Sequence, residues 1–101
     1  MSKVYGYCRL ALADREAMTE QMALIDVYCR RNDLKLERWF CDHGVSGLSL
    51  DRNGLNGLLN VLQSGDIVIV KDIARLSRNA SQCMALIEQI KSIGATLKIM
   101  K

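Results

Sequence analysis

The sequence predicts an α/β domain of three layers, with a mostly parallel central sheet of about four strands and helices on both faces. Three observations carry this. Short apolar runs alternate with longer stretches of helical period, giving the order β-α-β-α-β-α-β with connections of ordinary length. One of the runs, Ile67-Val68-Ile69-Val70, is β-branched throughout, as expected of a parallel strand covered on both sides. Helix start and stop signals also punctuate the chain where this order needs them.

Lys3 to Cys8 fits a first buried strand, although so short an apolar run is not told from a helix by periodicity alone. A polar turn follows, where Asp14 is placed to cap a helix and Glu16 to sit at its positive end. That helix runs to about Asn32. Its apolar face is Met18, Met22, Ile25 and Cys29, widened by Leu24 and Tyr28, with Gln21 at the edge. Leu34 to Cys41 alternates well enough for a second strand, with Trp39 and Phe40 supplying its largest burial. Residues 42 to 52 read as a loop with two glycines and two serines. Leu55, Leu58, Leu59 and Leu62 then mark the clearest helix, with Gly65 expected as its left-handed cap. After the strand at 67 to 70 and a loop at 71 to 78, Asn79 with Gln82 opens a helix whose buried stripe is Cys83, Leu86, Ile87 and Ile90. Gly94 caps it, and Ala95 to Met100 completes the sheet.

With 101 residues, 50% hydrophobic and 25% charged, the chain has the composition of one ordinary globular domain. No apolar run approaches the roughly 20 residues of a membrane helix, and no signal peptide is visible, so a cytoplasmic location is expected. The net charge of +3 permits an anionic partner without demanding one. Cys8, Cys29, Cys41 and Cys83 contain no Cys-x-x-Cys pair and lie among apolar neighbours, which predicts buried reduced thiols. His43, the only histidine, lacks partners at ligand spacing, and no carboxylate cluster suits magnesium, so no metal is expected. Neither Gly-x-x-x-x-Gly-Lys-Ser/Thr nor Gly-x-Gly-x-x-Gly occurs, which leaves nucleotide binding of those kinds unsupported.

In an open α/β sheet, ligands bind at the carboxyl ends of the strands. If the first three strands run parallel, their ends bring Arg9, Asp42, Ser46, Arg75 and Arg78 together, with Tyr7 beneath. Each arginine alone reads as a surface residue. Several around one point make a site for a phosphate, because guanidinium groups donate paired hydrogen bonds in a fixed fork. Such a cluster stabilises phosphoryl transfer by position and charge, without a metal.

These residues carry a resemblance. Tyr-x-Arg-Leu at 7 to 10, Asp-x-Gly-Val-Ser-Gly at 42 to 47, Asp51-Arg52 before Gly54-Leu55, and Lys-Asp-Ile-Ala-Arg-Leu-Ser-Arg-Asn at 71 to 79 resemble the catalytic domain of the serine site-specific recombinases. These are the resolvases, DNA invertases and large phage-type integrases of transposons and prophages. The likeness spans essentially the whole chain, and details of the second and fourth motifs look closer to the large integrase and transposon branch.

The resemblance implies a resolvase-like fold and a DNA partner. It implies a serine that attacks a phosphodiester to leave a 5′-phosphoserine and a free 3′ hydroxyl, with no cofactor. Arg9, Arg75 and Arg78 match the arginines that hold the scissile phosphate, while Tyr7, Gln21, Asp42, Ser46 and Arg52 match supporting positions. It also implies a homodimer or homotetramer for the full-length protein. Residues 1 to 101 are then the catalytic domain, truncated before the long assembly helix and DNA-binding region, and this fragment is monomeric or weakly associated.

Two departures fall within the site: Ala11 stands at the nucleophilic serine position, and Ala74 replaces the aspartate that usually precedes Arg-Leu-x-Arg. Leu12, where threonine is common, is a milder change. Since a methyl group cannot attack phosphorus, the expectation is a recombinase domain inactive in cleavage. The alternative is a non-catalytic, degenerate module that binds DNA or a recombinase partner.

Overall fold

The computed structural model describes residues 2–10, 15–43, 53–76 and 79–100. In chain order these form β1 (Val4–Leu10), α1 (Arg15–Arg31), β2 (Leu36–His43), α2 (Asn53–Val61), β3 (Ile67–Val70), a 3-10 turn (Ile73–Arg75), α3 (Ala80–Ile93) and β4 (Thr96–Ile99). The strands lie in the order β2-β1-β3-β4, and every pair is parallel. The three-layer α/β sheet predicted from sequence is present.

Alternation along β1 divides the core. Tyr5 and Tyr7 point to one face, where Leu55, Leu58 and Leu62 from the α2 segment and Cys83, Leu86 and Ile90 of α3 pack with Phe40, Val68 and Val70. Val4 and Cys8 point to the other, against Met18, Ile25 and Cys29 of α1. Gly6 lies on that second face because Trp39 crosses it: a Cβ there would stand 2.4 Å from the indole ring. Trp39 is therefore packed on β1 but only half-buried, whereas Phe40 is buried.

Helix ends follow local chemistry. At the end of α1, Asp33 takes a left-handed φ of 56°, and Leu34 N donates to the Cys29 carbonyl at 2.8 Å. The Asn79 side chain caps α3 by accepting from Gln82 N, and Gly94, at φ 93°, closes it. Gly65 departs from its expected role. The preceding helix ends at Val61, so Gly65 serves the next turn instead, where its N–H donates to the Gly94 carbonyl at 2.9 Å.

Two other expectations shift. β2 begins and ends two residues later than its apolar alternation suggests, because pairing with β1 continues to Arg9↔Asp42 and Leu10↔His43. Asp42 is consequently a strand residue. Leu24, counted in the apolar stripe, is 40% exposed, since α1 buries only its narrower Met18–Ile25–Cys29 line. The cap at Asp14 lies outside the described residues. Among the described residues, no helix is long and apolar enough to cross a membrane.

Candidate functional site

The strand order places a crevice between β1 and β3. The chain leaves β1 for α1 on one face and leaves β3 for α3 on the other, so the two connections diverge at the carboxyl edge. Pairing between β1 and β3 stops at Gly6↔Ile69, while β1 runs on beside β2 to Leu10. The second half of β1 thus faces the turn after β3 rather than another strand.

Arg9 occupies this position and is only 2% exposed. Burial of a charge is costly unless hydrogen bonds replace its water. Arg9 Nε donates to the Arg75 carbonyl at 3.1 Å and Nη2 to the Ala74 carbonyl at 2.5 Å. Arg75 returns the interaction, with Nη1 donating to the Arg9 carbonyl at 2.6 Å. Each guanidinium therefore holds the other residue's backbone, and the two strand ends are tied by two cationic side chains. Gln21 joins from α1: Nε2 donates to the Arg9 carbonyl at 3.3 Å, while its buried Oε1 has no partner among the described residues. Sequence placed Gln21 at the edge of the apolar face, but it is 2% exposed.

Asp72 orients the outer arginine. It stands at the start of the 3-10 turn, and its carboxylate accepts from Arg75 Nε at 3.1 Å. The side chains of this pair are 21% and 28% exposed, so the ion pair contributes about 0–1 kcal/mol and acts mainly on geometry. The sequence motif does not mark Asp72, because its departure from the family pattern falls at Ala74. Its three-residue spacing to Arg75 was the available signal.

Beside Arg9 in register, Asp42 forms a second knot. Its Oδ2 accepts from Tyr7 Oη at 2.8 Å and from Leu55 N at 3.0 Å, and its Oδ1 accepts from Gly54 N at 2.8 Å. A carboxylate at the first turn of α2 satisfies otherwise unpaired amides and meets the positive end of the helix. The approach is tight: a Cβ on Gly54 would lie 2.6 Å from the Cys41 carbonyl oxygen and 2.9 Å from Asp42 Oδ2. Gly54 was visible as a motif residue, but its steric reason was not.

The structure thus brings Tyr7, Arg9, Gln21, Asp42 and Arg75 to one end of the sheet. Ala11, Ser46, Arg52 and Arg78 lie outside the described residues. Among the described residues, no three His, Cys, Asp or Glu side chains cluster as metal ligands. Chemically, the arrangement offers a partly exposed guanidinium, held in place beside a buried one, to an anion entering the crevice.

A parallel β2-β1-β3-β4 sheet with arginines knotted at the β1/β3 switch point is an α/β domain suited to an anion, and the sequence comparison supplies its family. The family model described as "Resolvase, N terminal domain" matches residues 4–101, and the chain belongs to that family. It is 28% identical over 96 residues to a resolvase of Clostridium perfringens, covering 95% of this chain and 48% of that protein. Against the transposon Tn3 resolvase of Escherichia coli it is 29% identical over 96 residues, covering 95% and 49%. The chain therefore spans about half the length of these relatives. Among solved structures, the C-terminal catalytic domain of ISC1926 TnpA, an IS607-like serine recombinase, superposes with a TM-score of 0.89 at 22% identity, covering 98% of this chain and 67% of that one. At that identity the likeness establishes the fold.

Proposed function

We propose that this chain is a serine recombinase catalytic domain that holds a DNA phosphodiester at the carboxyl edge of its sheet but does not cleave it. The observation that carries the reading is the convergence of Arg9 and Arg75 at the switch point between β1 and β3. Arg75 and, from its sequence position, Arg78 meet the phosphate. Arg9 sets the floor, Tyr7 and Asp42 fix the β2 side, and Gln21, Ser46 and Arg52 support the pocket. Ala11 occupies the position of the family's nucleophile, so the attacking oxygen is missing. Assembly into dimers or tetramers is part of the same proposal.

One observation favours the alternative of a non-catalytic partner module. Arg9 commits Nε and an Nη2 hydrogen to main-chain carbonyls, which is a structural use that survives loss of chemistry.

The test is covalent capture. On a supercoiled plasmid carrying the DNA that flanks the gene, the chain is expected to give neither nicks nor a protein–DNA adduct on a denaturing gel. An adduct would overturn the reading and direct attention to Ser46 or Ser77. Ala11→Ser in the full-length protein is expected to restore the adduct. If it does not, while the variant still pulls down an active relative, the partner-module reading takes over.

A further inference from the structure

Behind the site, on the opposite face of the sheet, two cysteines sit side by side. Cys8 of β1 and Cys41 of β2 are register partners, immediately before the Arg9↔Asp42 pair. Both belong to the apolar cluster under α1, with Cys8 fully buried and Cys41 half-buried. The expectation of four buried thiols thus holds for Cys8, Cys29 and Cys83 and fails at Cys41, the one the solvent reaches.

Their contact is asymmetric. The two thiols are neighbours across the strand pair, and each shifts the other. Hydrogen bonding between the thiols draws Cys41 down to about 7, against the opposing effects of burial and the Asp42 carboxylate. The same interaction, then burial, moves Cys8 strongly upward, with Arg75 opposing. From α1, Tyr28 and Cys29 are the titratable groups in the same cluster. Burial pushes Cys29 and Cys83 up, which makes them internal controls.

We propose that Cys8 and Cys41 are a dithiol oxidation site that closes to a disulfide when hydrogen peroxide, or another two-electron oxidant of that class, reaches Cys41. The Cys41 thiolate attacks a peroxide oxygen, forming the S–O bond of a sulfenic acid while the O–O bond breaks and hydroxide leaves. The Cys8 sulfur then attacks the Cys41 sulfur. The S–S bond forms, the S–O bond breaks, and the departing hydroxide takes the Cys8 proton as water. The two sulfurs together lose two electrons, and the peroxide gains them.

Geometry allows closure. Neighbouring strands lie about 4.7–4.9 Å apart, within the Cα separation of about 4.4–6.8 Å that a disulfide spans. In a disulfide the Cβ atoms stand about 3.5–4.5 Å apart, so closure asks the two side chains to approach while the strands stay paired. The bond would pin β1 to β2 one residue before Arg9 and Asp42, tightening the edge that carries the site without entering it.

The test is peptide mapping of the folded chain after hydrogen peroxide, with free thiols blocked before digestion. The expected product is a Cys8–Cys41 disulfide, with Cys29 and Cys83 recovered as thiols. In the untreated protein at pH 7, iodoacetamide is expected to modify Cys41 about tenfold faster than Cys29 or Cys83. Cys41→Ser is expected to abolish both the disulfide and the fast alkylation. Because Cys41 is half-buried, that variant does not depend on the fully buried Cys8 tolerating change. Cys8→Ser is expected to halt at a Cys41 sulfenic acid, trapped by dimedone. A sulfenic acid persisting on Cys41 in the unsubstituted chain, a different disulfide, or equal alkylation of all four cysteines would overturn the proposal.

Discussion

Two buried aspartates stand at opposite ends of this sheet and do similar local work. Asp66, 2% exposed at the amino edge, accepts from Lys3 N at 3.0 Å and Gln63 N at 2.9 Å and closes a turn. Asp42, 5% exposed at the carboxyl edge, accepts from two amides of the α2 start. It differs in its third donor, the Tyr7 hydroxyl, and in its register partner, Arg9. A buried, hydrogen-bonded carboxylate is thus no mark of a functional site by itself. Convergence of arginines from two strand ends at a switch point is what separates the edges.

Removing each carboxylate measures the difference. Asp42→Ala is expected to cost about 3–4 kcal/mol, because two buried donors and one half-buried donor lose their acceptor, and Asp66→Ala about 2 kcal/mol. Urea denaturation followed by circular dichroism reads both. Equal losses would mean that the Tyr7 hydrogen bond adds nothing and that the two edges are energetically alike. The glycines of α2 give a smaller contrast. Gly54→Ala is expected to cost about 2 kcal/mol, since the new Cβ meets a carbonyl oxygen that belongs to β2. Gly57→Ala places its Cβ at an ordinary 3.5 Å from Phe40, so its gain in helix propensity should leave stability unchanged or raised by about 0.5 kcal/mol. If both cost the same, α2 adjusts freely and Asp42 does not fix its start.

How far the sequence foretells this depends on where the information is stored. β3 and α3 were legible because a β-branched run, an Asn79–Gln82 cap and Gly94 all act locally. β2 was misplaced by two residues because its limit is set by pairing with β1, not by its own alternation. Within the site, residue types and strand-end positions pointed to Tyr7, Arg9, Asp42 and Arg75. Their wiring was hidden. The Arg9–Arg75 knot joins residues 66 apart through main-chain carbonyls, which leave no trace in side-chain identity. Asp72 was overlooked for a related reason: its partner is reached through a 3-10 turn that the loop between β3 and α3 does not announce. The Cys8–Cys41 contact likewise needed the register.

The most direct test of the phosphate-site account is a heteronuclear NMR titration of the chain with a short DNA duplex at low salt, following backbone amides and arginine Nε–Hε signals. Binding is expected to be weak and to fade as salt rises. Shifts should concentrate on Arg75 Nε–Hε, the 3-10 turn at 73–75 and the amides of Gly54 and Leu55, leaving Lys3, Gln63 and Asp66 unmoved. Shifts gathered around Asp66 at the amino edge, with Arg75 silent, would contradict it.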